Sequence, residues 1–200
     1  TYADPDALAA DIEAASVVVP TDRHSDVYRS LAGYGLHVLM EKPIAVTTDQ
    51  AEAMVALARQ KDLILQVGHV ERFNPVMQFL EENLATPRFI EATRLAPYPP
   101  SRPDGPPRGT EVSVVLDLMI HDLEIILHLV RSPVKRINAA GVAVLSPTED
   151  IANVRLAFEN GCLANVTASR ISREKQRKIR IFQEDTYVSL DYMNQAGVLC

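Results

Sequence analysis

Short apolar runs alternate with amphipathic stretches through the first third of the chain, and the boundaries have chemical reasons. Asp4-Pro5 supplies an N-cap followed by proline at the first helical position, which predicts a helix to about residue 14. Residues 15–19 are a continuous, valine-rich run of the kind expected for a strand buried on both faces. After Pro20-Thr21 a second helix is predicted to residue 31, ended by Gly33 and Gly35, with a strand over 36–40 behind it. Thr47 and Gln50 have capping-box spacing, and Ala51, Met54, Val55 and Ala58 then fall on one face of a third helix. A third strand is predicted over 63–67. Strands joined by intervening helices pair in parallel through right-handed crossovers, the construction of a doubly wound sheet.

Beyond Gly68 the pattern changes. It predicts a helix over 74–84, a strand over 88–95, a proline-rich loop over 97–109, and a long helix over 112–130. Strand-like runs follow at 134–145, 152–158, 162–169, 178–182 and 187–190, with Glu159-Asn160-Gly161 as a hairpin turn between two of them. The fold class is therefore α/β: the C-terminal part of a doubly wound parallel sheet over residues 1–69, then an α+β region over 70–200 with a large open antiparallel or mixed sheet and one covering helix. A loop as long as 97–109 inside a compact region is typical of a lid, a binding loop or a subunit contact.

Composition narrows the classes of function. The 200 residues are 47% hydrophobic and 23% charged, enough for a sizeable core, and the net charge of −6 argues against a general nucleic-acid or anionic-membrane binder. The one dense basic run, residues 170–180, alternates with polar and apolar residues and reads as a solvated strand face. Cys162 and Cys200 make neither a disulfide framework nor a zinc site, which suits a reducing compartment. With no signal peptide or spanning segment in the sequence, a cytoplasmic protein is expected.

Two constellations carry candidate chemistry. Glu41-Lys42-Pro43 closes the predicted strand 36–40 and puts a lysine at the carboxyl end of a buried strand, where open α/β sheets bind ligands. Asp117 and His121 are four apart on the predicted long helix and share a face, a spacing that lets a carboxylate orient an imidazole whose other nitrogen takes a proton. Glu124 and His128 continue that stripe, which also permits a solvent-facing polar strip or a metal-dependent hydrolase or isomerase, although His-Glu-x-x-His is not present and no metal is expected.

Together, Val18-Val19-Pro20-Thr21-Asp22-Arg23-His24, Glu41-Lys42-Pro43, Gly68-His69-Val70-Glu71-Arg72-Phe73-Asn74-Pro75 and the Asp117/His121 pair resemble the Gfo/Idh/MocA family of nicotinamide-dependent oxidoreductases. The resemblance implies a Rossmann domain followed by an α/β domain for substrate and oligomerisation, assembling as a homodimer or homotetramer through its sheet. It implies catalytic roles for Lys42, Asp117 and His121. Pro20, Thr21, His24, Glu41 and Lys42 would approach NAD or NADP; His69, Glu71, Arg72, Asn74 and His121 would border the substrate.

Within the family the chain looks most like the branch that oxidises nucleotide-linked sugars, with UDP-N-acetylglucosamine oxidised at C3 as the implied substrate. Arg72, Arg94, Arg102 and Arg108 are candidate diphosphate contacts because guanidinium forks suit phosphate oxygens, with a surface ion pair the equal alternative for each. The departure from the family is at the start: its strand, Gly-x-Gly-x-x-Gly turn and helix are not found. Gly33-Tyr34-Gly35 is no substitute, since it follows a helix and precedes a strand. The chain is thus expected to be a fragment, inactive alone, with an unpaired edge strand and reduced solubility. A catalytically idle binding or regulatory protein on the same scaffold is the alternative reading.

Overall fold

The computed structural model describes residues 5–103, 105, 107 and 109–200. Asp4, expected to cap the first helix, and Arg108, expected near phosphate, lie outside the described residues. The chain forms two compact units, Thr1–His69 and Val70–Cys200.

In the first unit, β1 (Ala14–Val17), β2 (His37–Met40) and β3 (Leu65–Val67) form a parallel sheet in that order. The helices are α1 (Pro5–Ala9), α2 (His24–Gly33) and α3 (Thr48–Gln60). The capping box forms: Gln50 N–H donates to Thr47 Oγ1 and Thr47 N–H to Gln50 Oε1, each at 3.3 Å. Gly33 ends α2, and Gly35, at φ +78°, turns the chain into β2. One cluster joins Val17, Val38 and Met40 of the sheet to Tyr28, Ala32, Met54 and Ala58 of the helices.

Two boundaries differ from the sequence expectation. Helix α1 ends at Ala9, and Asp11 N–H closes a turn on the Leu8 carbonyl. That turn brings Ala14 opposite His37, so β1 ends at Val17 and leaves Val18 and Val19 exposed. Register with β2, rather than the valine run, decides where this strand lies.

The second unit contains α4 (Pro75–Asn83), β4 (Phe89–Leu95), α5 (Ile120–Val130), β5 (Val134–Val142), β6 (Ile151–Phe158), β7 (Leu163–Ser169), β8 (Gln176–Phe182), β9 (Tyr187–Asp191) and β10 (Ala196–Leu199). The sheet order is β10-β9-β8-β4-β7-β6-β5, antiparallel except for the parallel pair β4–β7, so the sheet is mixed. Glu159-Asn160-Gly161 makes the β6–β7 turn, with Gly161 at φ +88°. Two helices, not one, supply the core: Met77 and Leu80 of α4 and Ile125 and Ile126 of α5 join Ile90, Val166, Ile179 and Ile181 of the sheet. Glu91, Asn153, Arg155, Asn165, Thr167 and Arg180 pair across neighbouring strands outside this cluster, as Asn153 Nδ2 to Thr167 Oγ1 and Arg155 Nε to Asn165 Oδ1, both 2.8 Å.

Strand β5 stops at Val142 rather than 145 because Asp150 Oδ2 accepts the N–H groups of Val144, Leu145 and Ser146 at 2.6–2.9 Å, folding them into a loop. The expected long helix is likewise divided. Residues Val115–Met119 form a π-helical turn, in which Ile120 N–H reaches back to the Val115 carbonyl, before α5 begins. Strand β10 was not expected from its four residues; Asp191 Oδ1 accepts from Met193 and Asn194 at 3.0 and 3.2 Å and reverses the chain into it.

Candidate functional site

The candidate residues fall in two groups, one in each unit. In the first unit the parallel strands bring three segments to the carboxyl edge of the sheet: 18–21 after β1, 41–43 after β2, and 68–69 after β3. The ladder extends past the strands, with Glu41 N–H donating to the Val17 carbonyl at 3.1 Å and Gly68 N–H to the Met40 carbonyl at 2.8 Å. Lys42 and Thr21 are half-buried, Pro20 and Glu41 exposed, and the Lys42-Pro43 peptide is cis. Glu41 folds back so that its Oε2 accepts from Lys42 N–H at 3.3 Å. His69 is half-buried at the end of the unit.

His24 differs from these neighbours. It is 1% exposed, with Nδ1 2.9 Å from the Pro43 carbonyl oxygen and Nε2 3.0 Å from that of Val19. Both ring nitrogens therefore face backbone carbonyl oxygens, and the ring sits between the chain after β1 and the chain after Lys42.

Ligands of open α/β sheets lie beyond the carboxyl ends of their strands, and these three segments stand at that edge. Among the described residues no strand-glycine-helix turn offers amides to a pyrophosphate, and Gly35 belongs to a helix-to-strand turn.

In the second unit, a 3-10 turn, Val70–Phe73, leads to Asn74, whose Oδ1 accepts from Val76 N–H at 3.3 Å and caps α4, while its Nδ2 donates to the Tyr192 carbonyl. Arg72 pairs with Glu124 of α5. Glu71 is buried, with Oε1 accepting from Arg94 Nη1 at 3.0 Å and Arg177 Nη1 at 3.3 Å. Arg94 completes its fork on Asp122, Nε to Oδ2 at 2.7 Å and Nη2 to Oδ1 at 3.2 Å.

This corrects the expectation that Arg94 contacts phosphate: it is 2% exposed and its donors are committed to carboxylates. Burial alone would lower the Arg94 pKa, but Asp122 and Glu71 outweigh it and hold the guanidinium charged. Next to this cluster the Tyr192 hydroxyl is buried with no hydrogen-bond partner among the described residues, and burial pushes its pKa well up. Arg102 lies exposed in the long loop.

Asp117 sits within the π-helical turn and His121 at the start of α5, both half-buried. Such turns interrupt helices often at functional sites. The stripe continued by Glu124 and His128 is engaged elsewhere, Glu124 with Arg72 and His128 Nε2 with Glu81 Oε1 at 2.7 Å. Among the described residues no group of three or more metal-ligating side chains converges. No helix is long and apolar enough to cross a membrane among those residues.

A second buried cluster corrects the expectation of a solvated strand face at Arg170, where the basic run begins. Arg170, 2% exposed, donates from Nε to Asp150 Oδ1 and from Nη1 to the Gly109 and Val112 carbonyls, all at 2.8 Å; its Nη2 reaches Ser146 Oγ at 2.8 Å and Thr148 Oγ1 at 2.7 Å. Burial would raise the Asp150 carboxyl, but Ser146, Arg170 and the Ser146 and Leu145 amides together hold it well below the usual carboxylate range. The signal was phase: Arg170 follows Ala164, Val166 and Ala168 at intervals of two, as Arg94 follows Ile90 and Ala92, so both arginines occupy core-facing positions.

Residues 1–69 match the description "Oxidoreductase family, NAD-binding Rossmann fold", and residues 80–188 match "GFO/IDH/MocA C-terminal domain". The chain is 38% identical over 190 residues to UDP-N-acetylglucosamine 3-dehydrogenase of Acidithiobacillus ferrooxidans, covering 94% of this chain and 58% of that protein. A solved structure of that enzyme superposes with a TM-score of 0.90 at 37% identity, covering 99% of this chain and 63% of that one. Myo-inositol 2-dehydrogenase of Thermotoga maritima is 29% identical over 185 residues, 84% of this chain and 54% of that protein. The chain thus spans a little over half the length of these two curated relatives.

Proposed function

The chain belongs to the Gfo/Idh/MocA oxidoreductase family, and on that premise we propose that the protein it forms part of is a cytoplasmic sugar dehydrogenase. It oxidises a secondary hydroxyl of a sugar or nucleotide-sugar, with UDP-N-acetylglucosamine at C3 the first candidate, by hydride transfer to NAD or NADP. The observation that carries this reading is the position of Lys42, half-buried at the carboxyl end of β2, the middle strand of the parallel sheet. The likeness to UDP-N-acetylglucosamine 3-dehydrogenase supports the choice of sugar.

In this reading the first unit holds the nucleotide, with Pro20, Thr21, Glu41 and Lys42 beside the nicotinamide, and the second holds the sugar near Arg72 and His121. A bound nicotinamide supplies the hydride acceptor. His121 accepts the hydroxyl proton as the carbon–oxygen double bond forms, and Asp117 orients the ring and supports its charged form. Lys42 donates a hydrogen bond to the reacting oxygen and stabilises its developing negative charge. His24 acts at one remove, through the backbone on both sides of the strand end. Glu71 and Asn74 shape the substrate side through the contacts that fix segment 70–74, and His69 borders it. The exposed face of the mixed sheet joins copies into a homodimer or homotetramer.

The test is spectroscopic: the full natural protein is incubated with NAD or NADP and a panel containing UDP-N-acetylglucosamine, other nucleotide-sugars and inositols, and nicotinamide reduction is followed by absorbance. Reduction with a nucleotide-sugar supports the proposal. Binding of nucleotide-sugar without reduction of either cofactor would sink it and leave a binding protein.

A further inference from the structure

The Arg170 cluster has a bearing on Asp117 that none of its members shows alone. Gly109, at φ +86°, packs so closely on Asp117 that a Cβ there would stand 2.7 Å from Oδ2 and 3.0 Å from Cγ. The backbone of this loop therefore forms a wall against the carboxylate. The wall is tied at both ends: Arg170 Nη1 holds the Gly109 and Val112 carbonyls, Thr148 Oγ1 donates to the Val112 carbonyl at 3.1 Å, and Val114 N–H donates to the Glu149 carbonyl at 2.9 Å. Asp150 in turn organises residues 144–146 and accepts from Arg170 Nε.

We propose that Arg170 is a positioning residue for Asp117: by tying the Gly109–Val112 backbone to the Asp150 loop, it fixes the wall against which the Asp117 carboxylate rests, and so the direction that carboxylate presents to its helix neighbours. The inference rests on the reading of Asp117 as the group that orients His121. A buried guanidinium suits this task because its planar fork reaches several acceptors at once with fixed geometry, which a lysine cannot reproduce. The π-helical turn adds to the need, since a segment outside regular α-helical hydrogen bonding relies on its surroundings for its shape. The role is distinct from that of the Arg94–Asp122–Glu71 cluster, which ties segment 70–73 to α5 from another side.

The test uses Arg170→Met, Arg170→Lys, Thr148→Val and Asp117→Asn. Thr148→Val removes one tie to Val112 and one Arg170 acceptor without stranding a charge, so it carries the test if Arg170→Met does not fold. In the full natural protein, Arg170→Met lowers kcat about ten- to hundredfold with KM values changed by less than about threefold, and Thr148→Val shows a smaller loss of the same kind. In an Asp117→Asn background either change costs less than about twofold, because the residue being positioned has lost its role. Arg170→Lys does not restore the rate. Losses that multiply with Asp117→Asn, or a rate unchanged by Thr148→Val, would overturn the inference.

A second readout is independent of catalysis. In the full natural protein, Thr148→Val speeds amide hydrogen exchange across residues 109–117 while α4 and the central strands stay protected. Unchanged exchange in 109–117, or faster exchange throughout the unit, overturns the positioning role. If the wild-type protein reduces no nicotinamide with any sugar, the dehydrogenase reading fails, and the exchange result still decides whether Arg170 holds the wall.

Discussion

Arg170 Nε donates to Asp150 Oδ1 at 2.8 Å with both side chains closed off from solvent, so a full ion pair lies inside the second unit. Opposite charges this deep are costly to separate, because removing one leaves the other's charge buried without a counter-charge. Asp150→Ala is expected to destabilise the unit by about 3–5 kcal/mol, read by urea denaturation of the chain. A loss below about 1 kcal/mol would mean that water enters the loop and solvates Arg170.

The same carboxylate predicts a pH dependence. The Asp150 pKa is depressed in the folded state, whereas in the unfolded chain it returns to about 3.9. Protons therefore bind the unfolded state more readily. The stabilisation is fully present above the unfolded pKa and is lost as pH falls through that value toward the folded one. Asp191 acts in the same sense, its carboxyl held down against burial by Asn194 and Met193. Stability measured from pH 6 to pH 2 should fall, and fall less steeply in Asp150→Asn; equal slopes would remove Asp150 from the linkage.

Arg94→Met should cost about 3–5 kcal/mol by stranding Asp122, whereas Arg94→Met combined with Asp122→Leu should recover much of that loss, since an apolar replacement removes both desolvation penalties. Glu71 keeps Arg177 as a partner in either variant. Thermal and urea unfolding of both variants distinguishes the outcomes, and equal instability would show that the pair also carries packing that Met and Leu cannot replace.

Lys42→Met and His121→Ala are expected to lower turnover of the full natural protein by about 10²–10⁴ while leaving nucleotide affinity nearly unchanged, because in the proposed mechanism both groups act on the reacting oxygen. Parallel measurement of kcat and of NAD binding by fluorescence checks this. Equal losses of affinity would move both residues into a binding role.

Thr47→Ala removes the first half of the capping box on α3 and should destabilise the first unit by about 1 kcal/mol, with Thr47→Asn near neutral. Hydrogen exchange localised to α3 reads this without interference from the second unit.

Much of the architecture is a local property and was legible along the chain. The capping box at Thr47, the Glu159-Asn160-Gly161 turn and the two-residue phase of β6 and β7 depend on neighbouring residues and on backbone stereochemistry, so pattern alone locates them. The strand-end position of Lys42 follows from the same logic. Three expectations failed: β1 follows register with His37 rather than its valines, β5 yields residues 144–146 to a carboxylate a few residues on, and the expected long helix is interrupted by a π-helical turn at Asp117.

The class of fold, the family and the side chains that are candidates for the chemistry are readable along the chain, because periodicity, caps and motif spacing are written in one dimension. It took the folded chain to set both ring nitrogens of His24 against backbone carbonyls, to bury Arg94 and Arg170 rather than present them to a ligand, and to lay Gly109 against Asp117. A charge in core phase looks in sequence like an interruption of a strand. Its partner lies 28 residues away for Arg94 and 20 for Arg170, and whether that partner arrives depends on how the strands and loops close in space.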